Sequence, residues 1–202
     1  MKSTLALVAA AATALFLSAC TSPASDGHTD HQHGSESSSA AAADAPADHD
    51  AADVTFVTGM IPHHEQAVQM SAMVPERSTN PAVIKLAADI SAAQGPEIAT
   101  MKTWLATWTG GSTSADAHEG HDMGAMDGMV DDATMTTLGT LKGADFDTLW
   151  LRSMIGHHEG AIKMANAEIA DGASADAKKL ASQIVATQQA EIDQMKTMVG
   201  ES

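Results

Sequence analysis

The sequence predicts an all-α protein, an antiparallel four-helix bundle made of two repeated helical hairpins. The first observation is an internal repeat: residues 60–70 recur at residues 154–164, and the same offset relates residues 94–103 to residues 188–197. Repetition of this kind indicates two units with one structural plan. The second observation is that apolar residues recur at spacings of three and four in both units, as on one face of a helix. No alternating strand pattern competes with this spacing, so both units are predicted to be helical.

The chain begins with a segment typical of a secretory signal peptide, residues 1–19. Lys2 supplies the positive charge, and the apolar run that follows is too short to span a bilayer comfortably. The segment ends in Leu-Ser-Ala before Cys20, which resembles the lipobox of bacterial lipoproteins. The resemblance implies an extracytoplasmic protein anchored to the cell membrane by a lipid on Cys20, with an ordinary secreted protein as the alternative. Because Cys20 is the only cysteine, an internal disulfide and a zinc–thiolate site are excluded.

Residues 20–52 are predicted to be a disordered tether. They consist mainly of Ser, Ala, Asp and His with almost no large apolar side chain, so they cannot bury enough surface to fold. His28, His31 and His33 lie in this segment, followed by His49. A His-rich tract can bind Cu(II), Ni or Zn, but it can equally be a soluble linker, and the sequence leaves both possibilities open.

The folded domain is predicted to cover residues 53–202. Pro75 is expected to end the first helix, and Asn80 is a typical N-cap before a proline at the first helical position. A break and a kink are expected at Gly95–Pro96, because Pro96 has no N–H group to donate. The expected helices are residues 53–74, residues 81 to the glycine pair 110–111, a short extra helix at 131–141, residues 144–170, and a helix capped by Ser174 that runs to about residue 199.

A segment rich in methionine, histidine and glycine, residues 112–130, separates the two units. Its methionines stand among Gly and Asp rather than among aliphatic residues, so a place in a hydrophobic core explains them poorly. Thioether sulfur is a soft ligand that selects Cu(I). The segment is therefore interpreted as a soft-metal loop, with a plain flexible linker as the alternative. The candidate ligands are His118, His121, Met123 and Met126.

The repeated motif places histidine and methionine where a helix normally carries core leucines. On a helix, Met60, His63 and His64 fall on the inward stripe, whereas Glu65 points to the flank. When the hairpin is folded at its turn, Glu97 of the second helix reaches the level of these histidines. Two such sets converge in the bundle centre if the hairpins pack with pseudo-twofold symmetry. The predicted metal ligands of the folded domain are Met60, His63, His64, Glu97, Met154, His157, His158 and Glu191.

Ligand chemistry indicates copper as the bound metal. Buried imidazole or carboxylate groups without partners cost on the order of 1–3 kcal/mol each, so four inward histidines suggest a function. Imidazole and thioether groups suit copper, whereas Mg and Ca prefer oxygen. Simpler explanations remain for parts of the set, because methionine fills gaps in bundle cores and a Glu–His pair can serve helix register alone. The methionines for which core filling is favoured are Met70, Met101, Met164 and Met195.

Composition restricts the classes of partner. The formal charge is −16, from 26 acidic and 10 basic residues. This excess argues against nucleic acid and anionic membrane surfaces as partners, and it favours cations. The 13 methionines stand against 3 phenylalanines, 3 tryptophans and no tyrosine, which is unusual for an ordinary core of this size.

Residues 53–201 resemble the bacterial domain of unknown function 305 family, a ferritin-like four-helix group. The resemblance lies in the doubled Met-Ile-x-His-His motif and in the two Gln-x-x-Glu-Ile-x-x-Met segments. CopM-type members of this family are extracytoplasmic copper-binding proteins, and the resemblance implies the same role here. The chain is therefore expected to be a lipid-anchored, non-enzymatic protein that sequesters, buffers or transfers copper.

Two other functions stay open at this level. A ferritin-like di-metal oxidase needs Glu-x-x-His on two helices, but no histidine stands three residues after Glu97 or Glu191. A structural bundle that binds metal only incidentally through its tail is the other possibility. A hydrolase of the His-Glu-x-x-His kind does not fit, because adjacent histidines diverge by about 100° on a helix.

Overall fold

The computed structural model describes residues 48–110 and 126–201, and these form five α-helices. No strand occurs within the described residues, and the all-α prediction is confirmed. One hairpin is formed by α1 and α2 and a second by α4 and α5, while α1 packs against α4 and joins the two. The helices are α1 (Ala51–Arg77), α2 (Pro81–Trp108), α3 (Asp132–Thr140), α4 (Gly143–Asp171) and α5 (Ala175–Val199).

Several predicted features lie outside the described residues. They are the signal segment, most of the tether and the greater part of the soft-metal loop. In the part of the chain that is described, no helix combines the length and the apolar character needed to cross a membrane. The candidate residues outside the described ranges are Cys20, His28, His31, His33, His118, His121 and Met123.

Helix α1 begins earlier than expected because an aspartate pair caps it. Asp50 accepts hydrogen bonds from the N–H groups of Ala52 and Asp53, and the Asp53 side chain accepts one from the N–H group of Asp50. Such a capping box satisfies donors that have no partner in the first turn. The helix also continues past Pro75 to Arg77. The prediction that Pro75 ends α1 is wrong, because a proline in the final turn leaves the preceding turns intact.

Helix α2 passes through Gly95–Pro96 without interruption, so the predicted break is wrong. Both residues are exposed, as is Ala92, whose carbonyl group loses its helical donor at Pro96. Water can therefore reach this carbonyl group, which lowers the cost of the missing hydrogen bond. The helix ends at Trp108, just before the glycine pair at 110–111.

We expect Asn80→Ala to lower the free energy of unfolding by about 1 kcal/mol. The Asn80 side chain accepts a hydrogen bond of 3.0 Å from the N–H group of Ala82, and alanine leaves this donor without that partner. Urea unfolding followed by circular dichroism measures the change. The exposed neighbour Thr79 provides the control, since Thr79→Ala removes a hydroxyl group outside the cap. Equal losses in the two variants would contradict the capping role.

The helices of the second half of the chain follow their predicted bounds closely. Helices α3 and α4 lie within one or two residues of the expected ranges. Ser174 caps α5 as predicted, by accepting a hydrogen bond from the N–H group of Ala177. Gly200 ends α5 with a φ of 77°, a left-handed conformation that glycine adopts without steric cost.

The core consists of two hydrophobic clusters. One is built around Phe146 and Trp150, and the other around Phe56 and Trp104. The Trp150 indole is fully buried, and its N–H group donates to the carbonyl oxygen of Met70 at 3.1 Å. On each of the four long helices, buried polar residues lie between the residues that belong to the two clusters.

Candidate metal centre

A layer of six buried polar side chains crosses the bundle between the two hydrophobic clusters. Every long helix contributes to it, so the layer spans both hairpins. None of these residues exposes more than 3% of its surface. The members of this polar layer are His63 and His64 of α1, Gln94 of α2, His157 and His158 of α4, and Gln188 of α5.

Two histidines of the polar layer are each held by a glutamate from the other helix of the same hairpin. The Nε2 atom of His64 lies 2.8 Å from an oxygen of Glu97, and the Nε2 atom of His158 lies 2.8 Å from an oxygen of Glu191. The sequence predicts each glutamate at the level of the two histidines of its own hairpin, and the structure brings it into contact with one of them. Each glutamate stays partly exposed, with 20% and 12% of its side chain accessible. Each pair therefore connects the buried layer to the surface.

The other two histidines form a central pair at the interface between the hairpins. The rings of His63 and His157 have centroids 3.8 Å apart, with their planes inclined by 42°. The Nε2 atom of His63 also lies 3.2 Å from the backbone oxygen of Asp127. The two units of the repeat therefore meet through one histidine from each.

The hydrogen-bond acceptors determine which ring nitrogens carry hydrogen. Carbonyl and carboxylate oxygens accept, so His63, His64 and His158 each donate from Nε2. In the neutral ring, Nδ1 then has a free lone pair. These three Nδ1 atoms are buried without a hydrogen-bond partner, as are both nitrogens of His157. Metal-binding histidines typically have this form, with one nitrogen donating to an oxygen and the other available to the metal.

Burial keeps the central pair uncharged. Together with the neighbouring His64, it lowers the pKa of His63 to about 3. The pKa of His157 is also lowered well below its ordinary value, first by burial and then by the proximity of His63 and His158. Both rings are neutral at pH 7, which is the form in which imidazole binds metal.

Residues 126–130, called the strap below, lie against α1 and α4 beside the central pair. Gln66 makes two hydrogen bonds of 2.8 Å with the strap, one to the carbonyl oxygen and one from the N–H group of Val130. Gly160 of α4 leaves room for the strap, since a Cβ atom there would lie 2.7 Å from the Cα atom of Gly128 and closer still to the carbonyl group of Asp127. The strap is therefore fixed over the edge of the polar layer.

Spacing along the helices does not indicate these contacts, but differences between the two units do. Gln66 and Gly160 occupy equivalent positions of the repeat and share no chemistry, and the same is true of Pro62 and Gly156. A position that carries different residue types in the two units can contact a segment that is not itself part of the repeat. Here that element is the strap.

The remaining predicted ligands are distributed unevenly. Met60 and Met154 are fully buried, but Met60 belongs to the cluster around Phe56 and Met154 to the cluster around Trp150. Met126 lies partly exposed in the strap. Within residues 48–110 and 126–201, no three His, Cys, Asp or Glu side chains are arranged to hold one ion. Metal binding in the polar layer therefore requires thioether sulfur beside imidazole, or a closer approach of the histidines.

Comparison with known families identifies the domain. The family model described as "Domain of unknown function (DUF305)" matches residues 53–199. The chain belongs to the DUF305 family. This membership confirms the resemblance carried by the doubled Met-Ile-x-His-His motif.

Solved structures of the DUF305 family have the same fold. A DUF305 protein of Streptomyces coelicolor, provisionally classed as secreted, is 35% identical with a TM-score of 0.67, and the match covers 79% of this chain and 95% of that one. CopM in its Cu(II)-bound form is 32% identical with a TM-score of 0.61, covering 73% and 95% of the two chains. CopM in its Cu(I)-bound form is 32% identical with a TM-score of 0.60, covering 72% and 94%.

A curated relative matches over a shorter stretch. The uncharacterized protein L153 of Acanthamoeba polyphaga mimivirus is 40% identical over 53 residues, which are 26% of this chain. The matched stretch of this chain spans only 35% of the length of that relative. This match therefore adds no information about activity.

Proposed function

We propose that this DUF305 protein binds copper ions outside the cytoplasm and sequesters, buffers or transfers them, without being an enzyme. The observation that carries the proposal is the polar layer, where four imidazoles are buried and five of their nitrogens lack a hydrogen-bond partner. Buried polar atoms without partners destabilise a fold, and a bound metal ion would offset this cost. CopM, which shares the fold at 32% identity, has been solved with Cu(II) and with Cu(I).

The proposed ligands are the imidazoles of the polar layer and the thioethers beside it. Three of the histidines offer Nδ1 while their Nε2–H groups stay bonded to oxygen acceptors. Neutral imidazole suits copper in both oxidation states, and the buried sulfur atoms of Met60 and Met154 would add a preference for Cu(I). Glu97 and Glu191, which the sequence predicts as ligands, act in this arrangement as acceptors that orient the imidazoles.

Segments outside the bundle complete the proposal. A lipid on Cys20 would hold the protein at the outer face of the cell membrane. The His-rich tract of the tether would collect copper at lower affinity and pass it to the bundle. The proposed collecting residues of the soft-metal loop, residues 112–130, are His118, His121, Met123 and Met126.

The described residues do not favour a di-metal oxidase. In such a site, buried carboxylates and Glu-x-x-His motifs from several helices surround two metal ions. Glu97 and Glu191 are partly exposed, and each is engaged by one histidine. The buried Glu168 lies beside Asp53, away from the imidazoles.

Replacing the four histidines of the polar layer by glutamine is expected to remove tight copper binding. Glutamine keeps polar atoms in the layer but has no imidazole lone pair, so we expect the Cu(I) affinity of the full-length chain to fall by roughly a hundredfold or more. Anaerobic Cu(I) titration against a chromogenic chelator measures the affinity, and circular dichroism verifies that the variant is helical. The substitutions are H63Q, H64Q, H157Q and H158Q.

The matched control is His49→Gln. His49 is exposed, lies outside the polar layer and stacks on Trp108 with ring centroids 4.9 Å apart, so its replacement should leave the tight Cu(I) affinity unchanged. If the quadruple variant does not fold, His157→Gln alone replaces it, because His157 makes no hydrogen bond to another side chain that glutamine would break. Wild-type affinity in a folded variant would contradict the proposal and assign copper to segments outside the polar layer.

A further inference from the structure

Two thioether sulfurs converge on the surface of α1 at Gly59. A Cβ atom at Gly59 would lie 3.6 Å from the Sδ atom of Met164 and 3.8 Å from the Sδ atom of Met126. One sulfur comes from α4 and the other from the strap, so three segments meet at this point. All three residues are only partly buried. The missing side chain at Gly59 therefore leaves a gap that two sulfur atoms border and that solvent can approach.

These two methionines differ from those of the core. Met70 occupies the position of the first unit that corresponds to Met164, and it is fully buried in the cluster around Trp150. Met101 and Met195 are fully buried as well. Met164 instead lies at the edge of its cluster and remains partly exposed. Core filling, which the sequence favours for all four methionines, thus accounts for three of them better than for Met164.

The sulfur pair borders the polar layer. Gly59 and His63 are one helical turn apart on α1, about 6 Å along the axis. Met126 directly precedes Asp127, whose carbonyl oxygen accepts the hydrogen bond from His63. The ammonium group of Lys163 is paired with the Asp127 carboxylate, so its charge is compensated. An ion held by the two sulfurs would therefore stand between solvent and the central histidine pair.

We propose that Met126 and Met164 form a transfer site for a soft monovalent cation, Cu(I), on its way to the buried imidazoles. This inference rests on the proposed function and specifies where the folded domain first holds the ion. Thioethers are neutral, soft ligands, so they bind Cu(I) and its analogue Ag(I) and discriminate against hard cations. Two neutral ligands hold the ion weakly enough for it to move on to imidazole. The ion keeps its oxidation state throughout.

Alanine at Gly59 distinguishes this site from a simple packing contact between two methionines. The new Cβ atom would lie at ordinary van der Waals distance from both sulfurs, so the fold tolerates it, and α1 gains helix propensity. The same methyl group fills the gap that an ion bridging the sulfurs would occupy. We expect Gly59→Ala to raise the urea midpoint of unfolding and, in the same protein, to abolish Ag(I) binding at the pair.

Binding is measured on the full-length chain with 13C-methyl-labelled methionine and Ag(I) as the probe. The methyl resonances of Met126 and Met164 should shift together at the first additions of Ag(I). In the double variant M126L/M164L, leucine keeps the size and apolar character of methionine but has no sulfur. We expect this variant to load the polar layer with Cu(I) more slowly than the wild type in stopped-flow measurements. Met70→Leu is the matched control, because it changes the equivalent, fully buried methionine of the first unit.

The possible outcomes separate this inference from the proposed function. If Ag(I) leaves both methyl resonances unshifted while histidine signals of the polar layer respond, the transfer site is overturned and the proposed function stands. If Gly59→Ala binds Ag(I) at the pair as the wild type does, the bridging geometry is wrong. If the sulfurs bind Ag(I) but the quadruple glutamine variant keeps its Cu(I) affinity, the sulfurs are a binding site without a transfer role, and the assignment of copper to the polar layer is overturned.

Discussion

Replacing Gly160 by alanine is expected to destabilise the protein by about 2–3 kcal/mol, whereas the same change at Gly156, one turn earlier on α4, is expected to stabilise it. A Cβ atom at Gly160 would lie 2.7 Å from the Cα atom of Gly128 and closer still to the carbonyl group of Asp127. These are backbone atoms, which cannot turn aside as a flexible side chain can. At Gly156 nothing lies within 4 Å of the Cβ position, so alanine there gains helix propensity of up to about 1 kcal/mol.

Urea unfolding of both variants measures these free energies, and amide hydrogen exchange locates the change. The N–H group of Val130 donates to the Gln66 side chain in the folded protein. Displacement of the strap in Gly160→Ala should expose this amide to exchange, while Gly156→Ala should retain its protection. Equal stability and equal protection in the two variants would show that the strap does not rest on Gly160.

The helices and the level of their polar residues could be predicted because both follow from spacing along the chain. A helix advances by a fixed rise per residue. The repeat and the short turn of each hairpin therefore predict Glu97 and Glu191 beside the histidine pair of their own hairpin. The structure adds which histidine each one contacts, His64 for Glu97 and His158 for Glu191. Helix ends were less predictable, because capping depends on single side chains such as Asp50 rather than on a period.

Contacts between the two hairpins could not be derived from spacing. They depend on the rotation of each helix about its own axis, and the hydrophobic stripe fixes that rotation only coarsely. The spacing predicts all four histidines on the inward stripe, but it does not predict that two of them meet across the interface while the other two contact glutamates. The strap depends on the space above Gly160, and this contact between distant parts of the chain has no local signal.

The buried carboxyl pair Asp53–Glu168 makes stability fall as pH rises from about 6.5 to 8, and Glu168→Gln is expected to abolish this decline. The two residues are 0% and 2% exposed. Asp53 accepts hydrogen bonds of 2.7–3.1 Å from the N–H groups of Asp50, Ala173 and Ser174, and these bonds outweigh burial and lower its pKa. Burial, and then the adjoining Asp53 carboxyl group, raise the pKa of Glu168 to about 8.

The direction of the effect follows from proton binding. In the unfolded chain Glu168 has its ordinary pKa of 4.5 and loses its proton well below the pH at which the folded chain does. A rise in pH therefore favours unfolding up to about pH 8. Below pH 6.5 the uncharged His63 and His157 act in the opposite direction, because their unfolded imidazoles take up protons. At pH 6.5 about half of each unfolded imidazole is still protonated, so the two histidines offset part of the decline up to about pH 7.5. The difference between the wild type and Glu168→Gln therefore isolates Glu168, with a loss on the order of 1–2 kcal/mol between pH 6.5 and 8.

Glutamine has the shape of a protonated glutamic acid but cannot ionise. Glu168→Gln should therefore match the wild type near pH 6.5 and exceed its free energy of unfolding above pH 8, as measured by urea unfolding at a series of pH values. Glu159→Gln, at an exposed position of the same helix, is the control and should give a curve parallel to that of the wild type. A difference between the wild-type and Glu168→Gln curves that stays constant across this interval would contradict the raised pKa of Glu168.

The same variant tests whether stability and metal binding depend on separate groups. Asp53 precedes His63 by ten residues, about 15 Å along α1, so the carboxyl pair stands well away from the polar layer. Glu168→Gln should consequently leave the Cu(I) affinity at pH 7 unchanged while it flattens the pH dependence of stability. Loss of copper binding in this variant would instead mean that the end of the bundle at Asp53 controls the geometry of the imidazoles, since neither carboxyl group is close enough to bind the same ion.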